Sequence, residues 1–287
     1  MPKPPRPSPS PAPAALPELR PGQSVALLQA LHILTREGRL NQDSRRKLKQ
    51  VNHLLQFIEP LLQEALAARG DVTLVDHGAG KSYLGFMLYD LFCQPRSLGW
   101  VYGVESRPEL VTRSVELAKT LGFERMRFVA ATVQEAMVSD ALPNPVDVVT
   151  ALHACDTATD DAIAFGLARQ ARHMVLVPCC QAEVAGVLRK HKALSLARTP
   201  LSEIWRHPLH TREFGSQITN VLRCLQLEAA GYQVTVTELV GWEHSMKNEL
   251  ILARKVSGGK HSARQRLQQV LEELQLQELA DRYAVPA

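Results

Sequence analysis

Beyond Gly70 the chain alternates between short apolar runs and longer stretches of helical spacing. The runs are VTLVD (72–76), WVYGVE (100–105), MRFVAA (126–131), VDVVTALH (146–153), HMVLVPCC (173–180), YQVTVTELV (232–240) and ELILARK (249–255). Such alternation predicts an α/β protein with a parallel-rich sheet covered by helices on both faces. The last two runs are only about ten residues apart, too few for a crossover with its helix, so the final pair is expected to be antiparallel. The expectation is a Rossmann-like sheet of seven strands ending in an antiparallel hairpin, an ending a dehydrogenase sheet does not predict.

Upstream of Gly70 the period is helical throughout. Val25, Leu28, Leu31 and Leu34, then Leu48, Val51, Leu54, Leu55, Ile58, Leu61 and Leu62, recur at three- and four-residue intervals around a polar break near Gly38–Asp43. Two or three helices are expected over 22–70 as an N-terminal cap. Residues 1–21 are dense in Pro, Ser and Ala, cannot form an interior, and are expected to be disordered. The sheet domain then spans 71–256, and 257–287, containing SARQRLQQVLEELQLQELADRY, reads as a C-terminal helical tail.

Composition narrows the setting. With 287 residues and 45% hydrophobic content there is ample material for a packed core. No apolar run reaches the ~20 residues of a membrane span, and no basic segment precedes an apolar signal core, so a cytoplasmic address without membrane contact is expected. Five cysteines, an odd number without small-domain spacing, fit a reducing compartment. The formal charge of +4 permits an anionic partner without demanding one.

The candidate chemistry begins at LVDHGAGKSYLG, Leu74 to Gly85. Its Gly-Lys-Ser suggests a phosphate loop, yet a Walker A loop needs a glycine five positions before Gly80, where Val75 stands inside the strand. ATP and GTP are therefore not expected. The first strand ends in Asp76 and turns through Gly78 and Gly80, leaving a bend that a ligand can approach closely. The second strand ends in Glu105, an acid placed to accept hydrogen bonds from both hydroxyls of a ribose. For NAD the third glycine would fall at Tyr83, so a dinucleotide is disfavoured. S-adenosylmethionine carries a ribose and no pyrophosphate, and needs only the close approach and the acid.

On these residues a resemblance can be stated. VDHGAGKSYLGFML, ALHACDTATDDAI, LVPCCQAEV and MKNELILARK resemble the methyltransferase domain of methyltransferase-like protein 25 and its relatives. More distantly they are similar to the acceptor-stem tRNA 2′-O-methyltransferases, which share the acid-x-Gly-x-Gly-Lys-x-Tyr-Leu turn. The resemblance covers about 70–255. It implies a class I methyltransferase fold, S-adenosylmethionine as cofactor, and cofactor contacts at Asp76, Gly78, Gly80 and Glu105. Lys81 and Tyr83 of the same turn, Thr132 after the third strand and Ala151 in the fourth complete the expected cofactor set. Two departures are visible: Asp156 follows Cys155 where relatives often have Gly, and Ala130–Ala131–Thr132 lacks the acid that often contacts the adenine amino group.

His153, Cys155 and Asp156 follow the fourth strand, and Cys179, Cys180 and Gln181 follow the fifth. In this fold the two strands are neighbours, and their carboxyl ends meet beside the ligand. Methyl transfer needs an aligned nucleophile and, where that nucleophile carries a proton, a group to take it. His153, Asp156, Cys179 and Cys180 are the candidate catalytic residues, although His153 reads equally well as a helix-capping residue and the thiols as small buried groups. No metal is expected, because the cluster lacks the Cys-x-x-Cys spacing of structural zinc sites. For the substrate, two basic stretches point to structured RNA. Arg36–Lys49 holds Arg36, Arg39, Arg45, Arg46, Lys47 and Lys49. The segment before the sixth strand holds Arg189, Lys190, Lys192, Arg198, Arg206, His207, His210, Arg212 and Arg223, with Trp205 and Phe214 as stacking faces. Solvated helix faces are the plainer reading of both. A protein side chain is the alternative substrate, and a non-catalytic binding module the alternative class.

Overall fold

The computed structural model describes residues 17–152, 156–179, 181–191, 200–239, 249–256 and 258–285. His153, Cys155 and Cys180 lie outside them, as do Lys192 and Arg198 of the second basic segment. The sheet has seven strands: β1 (Thr73–His77), β2 (Trp100–Glu105), β3 (Met126–Ala130), β4 (Val148–Leu152), β5 (His173–Val177), β6 (Tyr232–Glu238) and β7 (Glu249–Lys255), in the order β3-β2-β1-β4-β5-β7-β6. The first five run parallel, while β7 lies antiparallel to both β5 and β6. The antiparallel ending expected from the short spacing is present, with β7 inserted between β5 and the edge strand β6. The expected bounds shift in one place that matters: β1 closes on His77, not on Asp76.

Helices α1 (Val25–Ala30), α2 (Gln42–Arg69), α3 (Tyr83–Leu88) and α4 (Pro108–Thr120) cover one face of the sheet. On the other lie α5 (Val133–Val138), α6 (Thr157–Ala168) and part of α8 (Pro208–Ala229). A third cluster joins α8 to α7 (Glu183–His191), α9 (His261–Glu273) and the turn of 3-10 helix at Gln277–Tyr283.

Helix α2 shows how the sequence dictates its element. Asn41 caps it by accepting from the Ser44 N–H, Gly70 ends it in a left-handed conformation, and Leu48, Val51, Leu55, Ile58 and Leu62 form one buried stripe. Its last turn is tied to the sheet through the buried Asp147, which accepts from Arg69 Nη1 at 3.0 Å and from the Thr73 N–H at 2.9 Å. Residues 17–21 depart from the expected disorder. Leu19 packs on the core, and Arg20 Nη2 donates to Glu59 at 2.9 Å.

Candidate active site

The strand order reverses between β1 and β4, so the crevice for a ligand opens at the carboxyl ends of those strands. The glycine turn stands on one side of it. Gly78 has φ 66°, Gly80 φ 57° and Ser82 φ 52°, so alternate residues of the turn are left-handed. The turn is fastened to β2: the Ala79 N–H donates to the Val104 carbonyl at 3.0 Å, and the Gly80 N–H donates to Glu105 Oε2 at 2.8 Å.

Glu105 is buried yet strongly ionised. Burial raises its carboxyl pKa, but the side chain and backbone N–H of Arg107, with the Gly80 N–H, outweigh that and bring it down to about 2. Arg107 grips it with Nε at 2.9 Å from Oε1 and Nη2 at 3.2 Å from Oε2. The Arg107 side chain is 59% exposed and free to swing outward, so its grip is one a ribose has to displace. We expect Arg107→Ala to bind S-adenosylhomocysteine up to about fivefold more tightly in calorimetry, the scale of an exposed ion pair. Weaker binding would make Arg107 a ligand of the cofactor.

Asp76 lies under the turn. It is buried, accepts from Thr150 Oγ1 at 2.8 Å, and also faces the Gly85 N–H. Burial dominates both bonds and raises its pKa to about 7. The folded state thus holds a proton that the unfolded chain loses above about pH 4, so this group's stabilisation is complete below pH 4 and is lost as pH rises through 7. Next to it, His77 is buried, with both ring nitrogens unpartnered among the described residues and its ring 5.6 Å from Phe165. Burial, opposed by Glu105, lowers its pKa to about 4, which gives the opposite slope between about 4 and the ordinary histidine value near 6.5. Thermal melts of wild type minus those of Asp76→Asn should therefore show a stability difference that falls from pH 5 to 8 by on the order of 1 kcal/mol per unit. A flat difference would show that Asp76 does not titrate there.

The remaining expected cofactor residues occupy distinct places. Lys81 is exposed on the turn, and Tyr83, half-buried, opens α3. Ala151 is buried in β4 with its methyl group in the core. Thr132 caps α5, and Glu135 folds back on it, with Oε2 2.7 Å from the Thr132 nitrogen and 2.9 Å from its hydroxyl. An acid therefore stands at the end of β3 after all, supplied three residues later by a capping box that Thr-x-x-Glu announces in the sequence.

Asp156, at φ 49° and ψ −120°, holds a conformation suited to glycine, which is the residue the resemblance leads one to expect there. The strain is offset by what its atoms hold. Its Oδ1 accepts from the Ala182 N–H at 2.9 Å and from the Glu183 N–H at 3.4 Å, while its carbonyl accepts from Arg223 Nη2 at 2.8 Å. Asp156 thus ties the segment after β4 to that after β5. Cys179 is half-buried in the latter, and Gln181 donates to Asn220 Oδ1 at 3.1 Å and accepts from Ser216 at 2.6 Å.

The second basic segment is less available than its composition suggests. Arg223 is fully buried, with Nε 2.7 Å from Asp160 Oδ1 and Nη2 2.8 Å from Oδ2, so it is a core residue and not part of a surface. Arg206 pairs with Glu203, Arg212 with Glu213 and Lys190 with Glu278. Trp205 and Phe214, both partly buried, meet edge to face at 5.5 Å and pack against the α7–α9 cluster, which leaves only part of each ring exposed for stacking. Sequence reasoning missed Arg107, His77 and the Asp160–Arg223 pair. Of these only Arg107, two residues beyond the strand-ending acid, carried a local signal.

A seven-stranded sheet in this order, closed by an antiparallel pair and carrying a left-handed glycine turn bonded to an ionised carboxylate, has the Rossmann-like fold of the class I methyltransferases. A family model described as a methyltransferase domain matches residues 46–187, from within α2 to within α7. No curated protein matches the sequence. Among solved structures, an rRNA methylase from Streptococcus thermophilus is 10% identical, with 65% of this chain and 88% of that chain covered and a TM-score of 0.40. Magnesium protoporphyrin IX methyltransferase from Synechocystis, with S-adenosylhomocysteine bound, is 14% identical over 80% of this chain and 95% of that one, with a TM-score of 0.44. Precorrin-6y C5,15-methyltransferase from Geobacter metallireducens is 18% identical over 64% and 80%, with a TM-score of 0.38.

Proposed function

We propose that the enzyme methylates structured RNA, with the cofactor held by the turn Gly78–Tyr83, by Glu105 and by the Thr132 end of β3. The residues fit such a ligand: Glu105 offers ionised acceptors to ribose hydroxyls, and neither ring nitrogen of the buried His77, which leads into the turn, has a hydrogen-bond partner among the described residues. S-adenosylmethionine supplies an electrophilic methyl group on sulfur. The chain's own work is to align the acceptor in line with it and to receive its proton. We assign the proton to His153, the residue after Leu152 in the sequence, and the alignment of the two acceptor segments to Asp156, with Cys179 and Cys180 as the further candidates. Asp156→Ala is expected to lower kcat by roughly 10- to 100-fold, because it releases α7 from β4, while S-adenosylhomocysteine affinity changes less than about twofold. Equal losses in both would make Asp156 part of the cofactor site.

The observation that carries the RNA reading is where the first basic stretch sits. Lys47 Nζ lies 5.9 Å from the ring centre of Tyr83, so the exposed cationic end of α2 flanks the cofactor turn. The resemblance to the methyltransferase-like protein 25 domain and to tRNA methyltransferases agrees with it. Incubation with labelled S-adenosylmethionine and cell extract, followed by ribonuclease or protease, tests it. Label should vanish with ribonuclease; label that resists ribonuclease and disappears with protease makes the substrate a protein.

A further inference from the structure

A pocket of about 210 Å³ lies between the end of α1, the glycine turn and α4. Its walls include Leu110 and Leu117, and its polar lining is His32, Lys81, Arg113 and Ser114. No acidic side chain lines it, and among the described residues neither Lys81 nor Arg113 has an ion pair. Ser114 is buried and its hydroxyl makes no hydrogen bond within the described chain, so a donor is left facing the cavity. His32 is held at φ 56°, a left-handed conformation at the end of α1 in which a histidine is strained.

Size and charge choose the ligand. The cavity is smaller than the ~300 Å³ at which pockets for whole small molecules begin, so it takes a group and not a nucleoside. With a water's share of liquid near 30 Å³, a tetrahedral oxyanion and a few waters fill it. A guanidinium fork and an ammonium line the cavity together with an imidazole and a hydroxyl that can each donate, and no carboxylate opposes them, a composition that suits phosphate. Lys81 of the pocket stands two residues before Tyr83, and Tyr83 is the residue Lys47 covers, so both the pocket and the cationic end of α2 adjoin the turn.

We propose that His32, Lys81, Arg113 and Ser114 bind one backbone phosphate of the RNA substrate, fixing the strand's register against the cofactor turn. The assignment rests on the RNA reading above. Contacts of this kind position the nucleic acid and carry no sequence information.

The test measures binding of a tRNA-sized hairpin by fluorescence anisotropy over a salt series, with S-adenosylhomocysteine calorimetry and thermal melts on each variant. Arg113 is exposed, so its replacement leaves the core intact. Arg113→Glu should weaken RNA binding on the order of tenfold and reduce the slope of log affinity against log salt by about 1, with cofactor affinity unchanged. Arg113→Lys should keep the slope. Arg264→Glu on α9, which packs on α8, should leave it as in wild type. Wild-type RNA binding that Arg113→Glu does not alter overturns the pocket and leaves the RNA reading standing. Absence of salt-sensitive RNA binding by wild type overturns both. Inorganic phosphate probes the other source of the same chemistry: if it raises the melting temperature of wild type and not of Arg113→Glu, while RNA binds both equally, the pocket holds free phosphate and the proposal falls.

Discussion

Gly78→Val is expected to leave a folded protein that no longer binds S-adenosylhomocysteine. Gly78 has φ 66°, where a β-branched residue is a genuine outlier, and in the proposed cofactor site its missing side chain leaves the space for the ligand's approach. The turn has little freedom to yield, because the Ala79 and Gly80 N–H groups are already committed to Val104 and Glu105. A loss of roughly a hundredfold, about 2.8 kcal/mol, is the expected scale. Calorimetry on variants whose circular dichroism matches wild type reads it, with Gly78→Ala as the milder partner. ATP, GTP and NAD should not compete with S-adenosylhomocysteine in wild type. Binding by Gly78→Val within threefold of wild type would remove the turn from the cofactor site.

The second large effect is on stability. Arg223→Ala leaves the Asp160 carboxylate buried without its guanidinium and also removes the donors to Asn220 and to the Asp156 carbonyl. Breaking one side of a buried pair costs about 3–5 kcal/mol, which for a chain of this size lowers the melting temperature by on the order of 10 °C. Replacing both partners together, Arg223→Met with Asp160→Leu, should recover much of that, because no isolated charge remains. A melting shift under about 2 °C for Arg223→Ala alone would show that the pair contributes little. Because the same guanidinium holds the Asp156 carbonyl, the variant should also lose turnover.

The sheet was legible in the sequence because its strands are apolar, short and punctuated. WVYGVE and ELILARK coincide with β2 and β7 residue for residue. The run ending in VPCC overshoots β5, which closes at Val177 while Pro178 and Cys179 continue the apolar pattern, and the run VDVVTALH starts two residues before β4 and ends on His153, outside the described residues. That Glu105 closes the second strand was legible for the same reason, since the apolar run stops on it. Its engagement by Arg107 was not, because which cation meets an acid depends on side-chain conformation that periodicity does not encode. Arg223 misled for a related reason. Counting charges along a segment treats every arginine as exposed, whereas the helical phase of α8 turns this one inward onto Asp160, a partner far away in the sequence. Asp156 was noticed as a departure from glycine, and its left-handed backbone is the physical content of that departure.

The position of β7 bears on how the chain acquires its structure during synthesis. β5 is bordered by β7 along four residue pairs, His173 with Arg254 through Leu176 with Ile251, yet β7 is made long after β5. Until Lys255 has left the ribosome, the five parallel strands end in an open edge of apolar sequence, a template for pairing with another nascent chain. The sheet is closed only when a late segment enters between β5 and β6, so a ribosome stalled within residues 200–248 holds the chain in its most aggregation-prone form. Chaperone dependence should accordingly be greatest for nascent chains arrested there and fall once β7 is complete.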